Sequence, residues 1–167
     1  MWIKLLLTFI ASVFIQLAVF DNLNLGAYFN PLVYTLFILK LPFRTQNWAL
    51  LLWAFALGLL LDFFQSSHGL NAAACVLMAF TRPFVIKWLT TRRDFSEQEM
   101  PSIRDMGVQW YILYSIILLF IHHFGVFILE EGSISGLFAI FIRALLSTGF
   151  AFGLILIAEY LFFLKKS

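Results

Sequence analysis

The chain is short of charge, of cysteine and of every common catalytic signature. Of its 167 residues only 12% are charged, while 62% are hydrophobic. That balance excludes an ordinary water-soluble domain. The single cysteine, Cys75, lies inside an apolar run, which rules out an intrachain disulfide and a cysteine-based metal motif. Ser133 and Ser135 flank a turn without a G-x-S-x-G elbow or triad pattern around them. No phosphate-binding glycine loop and no zinc-protease helix motif occurs. The sequence therefore points away from an enzyme, and no cofactor is expected. The N-terminus has Lys4 ahead of an apolar stretch, as a signal peptide does, but no A-x-A-like site precedes Asp21. It reads as a retained first span.

What is present is apolar sequence in six stretches, at about 2–20, 27–43, 48–64, 70–89, 109–129 and 136–164. The breaks between them alternate in charge. Lys4, then Lys40 and Arg44, then Lys87, Arg92, Arg93 and Arg104, then Lys165 and Lys166 mark every second break, with Arg82 just inside the third of these regions. The intervening breaks hold Asp21, then Asp62 and His68, then Glu130 and Glu131, and no Lys or Arg. Ten of the eleven basic residues thus fall on one side. This is the positive-inside pattern of short cytoplasmic loops. It predicts one all-α membrane domain, a bundle of six transmembrane helices with both termini cytoplasmic. The net charge of +2 then reports orientation rather than nucleic-acid binding. Trp2, Trp48, Trp88 and Trp110 fall at predicted cytoplasmic ends, as interfacial anchors do, and only Trp53 lies deeper.

The second stretch is the weakest. Asn30-Pro31 looks like an N-cap followed by a first-turn proline, but a helix from Pro31 to Leu41 covers only about 16 Å, and a full crossing needs about 20 apolar residues. Either Gly26 to Asn30 extends it or neighbouring helices shield one end. The one substantial hydrophilic stretch, about 90–107, is expected to be a cytoplasmic loop with a short surface helix; it contains Asp94, Glu97 and Pro101.

Three groups of residues are candidates for function. The first is small: Ala54 and Gly58 stand at four-residue spacing before Asp62, Gly69 closes the turn before the fourth stretch, and Gly149 and Gly153 form a G-x-x-x-G in the sixth. Such positions let helix backbones approach, within the chain or against a partner's helix. The second group is polar and near the outer side: Asp62, Asn71, His122, His123 and Arg143. Charges in hydrocarbon are costly and face protein or water. Asp62 and Arg143 are expected to pair or to snorkel outward separately, or the group lines a recess open to the outside. Adjacent histidines point about 100° apart on a helix, so His122 and His123 do not readily share one metal. The third group is basic and inner: Arg82, Arg92 and Arg93, facing anionic lipid or cytoplasmic partners. Arg82, followed by Pro83, is expected to snorkel to phosphate or to a carbonyl freed at the kink. Glu159 is expected near the inner headgroups, compensated by a Lys or Arg.

Gly58-Leu59-Leu60-Leu61-Asp62, then Gly69-Leu70-Asn71-Ala72, then Arg82-Pro83, with Gln16 and Asn30-Pro31 upstream, resembles the MreD family of rod shape-determining proteins. The resemblance implies a small six-span protein of the bacterial inner membrane and a non-enzymatic subunit of the cell-elongation machinery. It implies MreC as partner, and through it MreB filaments, a SEDS glycosyltransferase and a transpeptidase. On that reading the Ala54–Gly58–Asp62 face receives MreC's membrane helix or the segment just outside it. The alternative is a vitamin-binding membrane component of an energy-coupling-factor transporter, to which the MreD family looks architecturally similar; the outer polar group then lines the ligand recess.

Overall fold

A computed structural model describes residues 2–22, 30–90, 95–96, 99–133 and 136–164. Among these residues every regular element is helical. Arg92, Arg93, Asp94 and Glu97 of the expected inner loop lie outside the described residues, as do Gly26, Ser135, Lys165 and Lys166.

Five helical segments are long and apolar enough to cross a membrane: α1 (Trp2–Ala18) continued by the 3-10 turn Phe20–Asn22, α3 (Asn47–Gln65), α4 (Leu70–Leu89), α6 (Val108–Glu131) and α7 (Leu137–Leu164). Two more are single turns, α2 (Leu36–Leu39) and α5 (Ile103–Met106). Each long helix turns one stripe inward at the spacing a 3.6-residue period dictates. In α1 the buried stripe is Leu5, Ser12, Val13 and Gln16, while Ile3, Leu7, Ile10 and Phe14 point outward. In α3 it is Leu50, Ala54, Leu57, Gly58, Leu61 and Asp62. In α7 it is Ile140, Ala144, Ser147, Thr148, Ala151, Ile155 and Glu159.

Neighbours pack in chain order, α3 on α4, α4 on α6 and α6 on α7, with α1 on α3. The tightest approach is at Gly58. A Cβ there would lie 2.4 Å from the Ala72 Cα and 2.6 Å from the Asn71 carbonyl oxygen. The turn between these helices needs left-handed backbone at Ser66, His68 and Gly69, the last with φ +93°, a conformation glycine adopts without penalty. The Ala54–Gly58–Asp62 face is thus filled by α4 of the same chain, and the expectation that it receives a partner helix is replaced by internal packing. Gly149 and Gly153 are the reverse case. They sit on the outward face of α7, where a methyl group at either position would meet nothing within 4 Å.

The second apolar stretch departs most from expectation. Instead of a helix beginning at Pro31, residues 30–32 are irregular, Val33–Thr35 form one 3-10 turn, and α2 adds one α turn. Leu32, Tyr34, Phe37, Ile38, Leu39 and Leu41 of this segment are all at most 3% exposed. The broken strap, residues 30–43, is enclosed by the bundle. Its Tyr34 bonds to Asn71 of α4 and its Leu41 to Arg82, eleven residues further along that helix. On α7 the corresponding partners are Ser147 and Glu159. The strap therefore advances about 16–18 Å along the bundle axis.

Gly58→Ala is expected to lower the thermal unfolding midpoint in detergent, at a cost of about 1–3 kcal/mol for overpacking a filled site. Gly153→Ala on the open face is expected to leave the midpoint unchanged. Equal effects in the two variants would contradict the packing described.

Candidate functional site

A backbone that is not helical cannot satisfy its own amides, and inside an apolar bundle no solvent does so for it. The strap's polar groups are met by side chains projecting from the surrounding helices. The Asn30 N–H donates to Ser147 Oγ of α7 at 3.2 Å, the Leu32 N–H to His123 Nε2 of α6 at 3.4 Å, and the Val33 N–H to Gln16 Oε1 of α1 at 2.9 Å. Further along, the Tyr114 hydroxyl donates to the Leu39 carbonyl at 3.0 Å. Arg82 Nη2 donates to the Leu41 carbonyl and Nη1 to the Pro42 carbonyl at 3.5 Å, while Nε donates to the Tyr114 hydroxyl at 2.8 Å. Four helices thus each lend a polar side chain to one segment.

Arg82 is 1% exposed. It does not snorkel: its stem keeps the guanidinium in the core, where two carbonyls and a phenol accept its protons. The freed carbonyls belong to the strap and not to the Pro83 kink. His123 is likewise explained. Its Nδ1 donates to the Leu119 carbonyl at 2.8 Å, so Nε2 is the acceptor for the strap.

Asp62 has a different task. Oδ1 accepts from the Asn71 N–H at 3.0 Å and from Ser67 Oγ at 2.5 Å, and Oδ2 accepts from the Ala72 N–H at 2.8 Å. It caps the first turn of α4 from the end of α3, and that helix end favours a negative charge. Arg143 is occupied elsewhere, in an ion pair with Glu130 at 2.9 Å and 4.1 Å from the Phe127 ring centre. The expected Asp62–Arg143 pair is therefore not formed, because each has a nearer partner.

Of the five residues predicted to cluster, four are connected. Asn71 Nδ2 donates to Gln65 Oε1 at 2.7 Å and to Ser67 Oγ at 2.9 Å. The Tyr34 hydroxyl, on the strap, bonds to Asn71 Oδ1 at 2.8 Å and to His122 Nε2 at 3.2 Å. Cys75 Sγ lies 3.7 Å from the same nitrogen, and the His122 and His123 rings stand 5.7 Å apart. Asp62, Asn71, Tyr34, His122 and His123 are all at most 5% exposed. Except at His122 Nδ1, which has no described partner, their hydrogen bonds are spent on the strap, the α4 cap and one another. Among the described residues no group of three or more His, Cys, Asp or Glu could hold a metal ion.

The opposite end of the strap is closed by charge. Lys40 forms an ion pair with Glu159, which is 6% exposed, and also donates to the Pro101 carbonyl at 2.8 Å. Glu159 Oε1 accepts from the Ile103 N–H at 3.3 Å, at the start of α5. Phe43 stacks on Phe95 with ring centres 3.9 Å apart, and its N–H donates to the Glu99 carbonyl at 2.9 Å. Glu159 is thus compensated by a lysine, as its position suggested. Arg44, Lys87 and Arg104 are exposed at this end of the molecule, as are Trp48 and Trp88.

Sequence reading missed Tyr34, Tyr114, Ser147 and Gln65. The signal was available in the two tyrosines, since a phenol in mid-span must find a hydrogen-bond partner. No protein-family model matches the chain, and no curated protein or solved structure matches it either.

Arg82→Met orphans the strap carbonyls that the guanidinium serves, at about 1–3 kcal/mol for each buried group left unmet. Gln16→Leu orphans one N–H and is expected to cost less. Chemical denaturation in mild detergent would order the two, and a harmless Arg82→Met would contradict the role given to that residue. Because Asp62 and Arg143 have separate partners, the losses for Asp62→Ala and Arg143→Ala are expected to add to within about 0.5 kcal/mol; a coupling well beyond that would restore the direct pair.

Proposed function

We propose that this chain is a six-span protein of the bacterial inner membrane, and that it serves as a non-enzymatic scaffold subunit of the cell-elongation machinery, as the MreD family does. The observation that supports this reading most is the physical unity of the resembling residues. Gly58 packs on Ala72, Asp62 caps α4 at Asn71 and Ala72, Arg82 holds the strap's far carbonyls, and Gln16 holds the Val33 N–H. Asn30 bonds to Ser147. A short ordered pattern whose members build one corner and one central segment is what a fold signature requires.

In this proposal the strap is the second crossing. It covers rather more than half of a hydrocarbon core of about 30 Å. Irregular backbone is tolerated at that depth because it is buried in protein. With the strap counted, Lys40, Arg44, Lys87 and Arg104 share the cytoplasmic side. The partner is MreC, held by a transmembrane contact, with MreB filaments, a SEDS glycosyltransferase and a transpeptidase beyond it. Of the small-residue faces the sequence marks, the Gly58 face is filled by α4. The α7 face with Gly149 and Gly153 is open, and the proposal places the partner helix there. The vitamin-binding alternative draws on the outer polar group, most of whose side-chain polar atoms are already committed to internal hydrogen bonds or ion pairs.

Purification of the tagged protein from its native host in gentle detergent, with mass spectrometry of what accompanies it, tests the reading. MreC is expected with the wild type and is expected to be lost from a Gly149→Leu, Gly153→Leu variant of unchanged thermal stability. A retained vitamin-like molecule together with transporter ATPases, and no MreC, would overturn the proposal in favour of the alternative.

A further inference from the structure

The polar chain leading inward from the outer end has a fixed direction. It begins at Asp21, which is exposed just beyond α1. Both carboxylate oxygens accept: Oδ1 from Gln16 Nε2 at 2.8 Å and Oδ2 from Gln65 Nε2 at 2.7 Å. A carboxylate can only accept, so Gln65 must present its amide nitrogen to Asp21 and its oxygen to Asn71. Asn71 must then present its nitrogen to Gln65 and its oxygen to Tyr34. The single proton of the Tyr34 hydroxyl is committed to that oxygen. The remaining contact, to His122 Nε2 at 3.2 Å, requires the imidazole to be the donor.

A second carboxylate enforces the same direction. Asp62 accepts the Ser67 hydroxyl proton, so Ser67 Oγ is left to accept from Asn71 Nδ2 at 2.9 Å. Asn71 is thus oriented twice, from Asp21 through Gln65 and from Asp62 through Ser67. On the neighbouring residue the logic runs the other way, since His123 donates from Nδ1 to the Leu119 carbonyl and offers Nε2 to the Leu32 N–H.

We propose that this chain is a directional relay in which the two outer carboxylates decide, through Asn71 and Tyr34, which nitrogen of His122 carries its proton. His122 is the Nε2–H tautomer and His123 the Nδ1–H tautomer, so adjacent buried imidazoles in one helix are opposite in sense. The consequence is chemical. His123 spends both nitrogens on holding α6 to the strap, whereas His122 keeps an Nδ1 lone pair, completely buried, to which no described group donates. The groups that contact His122 are Tyr34 from the strap, Cys75 from α4 and His123 beside it. His122 thus holds an unpaired acceptor nitrogen inside the bundle, and the outer carboxylates set which of its two nitrogens that is. This inference does not depend on the proposed scaffold role.

Histidine-selective 15N spectroscopy of the full chain in lipid tests it, with a His68→Gln variant to remove the third histidine's signals. The His68→Gln protein is expected to show one Nε2–H and one Nδ1–H imidazole, with His122→Asn deleting the former. Two Nδ1–H imidazoles would overturn the relay. Asp21→Asn and Ser67→Ala singly are expected to leave the His122 tautomer in place, because each leaves one of the two constraints. In the double variant an Nδ1–H population at His122 is expected to appear. A double variant indistinguishable from the wild type would show that the outer carboxylates do not set the tautomer.

Discussion

The constraint on which the rest of this structure depends is the backbone of residues 30–43. A segment that is neither helix nor strand sits in the middle of an apolar bundle, and each unmet amide there costs several kcal/mol. The strap answers this with borrowed side chains: Gln16 from α1, Arg82 from α4, His123 and Tyr114 from α6, and Ser147 from α7. Four of the polar residues buried in the other helices, Gln16, Arg82, His123 and Ser147, are accounted for by that one requirement. Polar residues in hydrocarbon invite a functional reading, and here the first use of these four is to satisfy a buried, broken backbone.

The remaining buried charges act at the two ends of the bundle. Asp62 and Gly58 fix the corner between α3 and α4, one by capping and the other by its lack of a side chain. Lys40 and Glu159 close the opposite end and anchor the start of α5. Between these ends the strap cannot slide without breaking bonds to several helices at once. Such a core fixes the strap from within and leaves outward faces, notably that of α7 with Gly149 and Gly153, uncovered by the other described residues.

Much of this was legible in the sequence, and the reason differs by residue. The long helices follow from apolar runs bounded by charge, and α4 occupies the same residues, 70–89, as the apolar stretch that predicts it. The weakness of the second stretch was visible as well, since Pro31 to Leu41 is too short for a full crossing, although Asn30-Pro31 reads as a helix start and residues 30–32 are irregular. What periodicity cannot give is the partner of a buried polar group. Asp62 and Arg143 are opposite charges of similar depth, and nothing along the chain says that one faces a helix N-terminus and the other Glu130. The two glycine patterns are equally alike on paper. Only the packing distinguishes Gly58, pressed against Ala72, from Gly153 on the outside. Tyr34 and Tyr114 were hidden by abundance, because aromatic residues make up 19% of the chain and most of them are apolar filling.

The central claim is that the strap carries the chain from one side of the membrane to the other. Labelling with a membrane-impermeant thiol reagent in intact cells tests it most directly, using Asn22→Cys and Arg44→Cys, which flank the strap at exposed positions. The native Cys75 is buried. The account predicts that position 22 labels from outside and that position 44 labels only after the membrane is permeabilised. Labelling of both positions from the same side would contradict it, leaving five crossings and a strap that turns back.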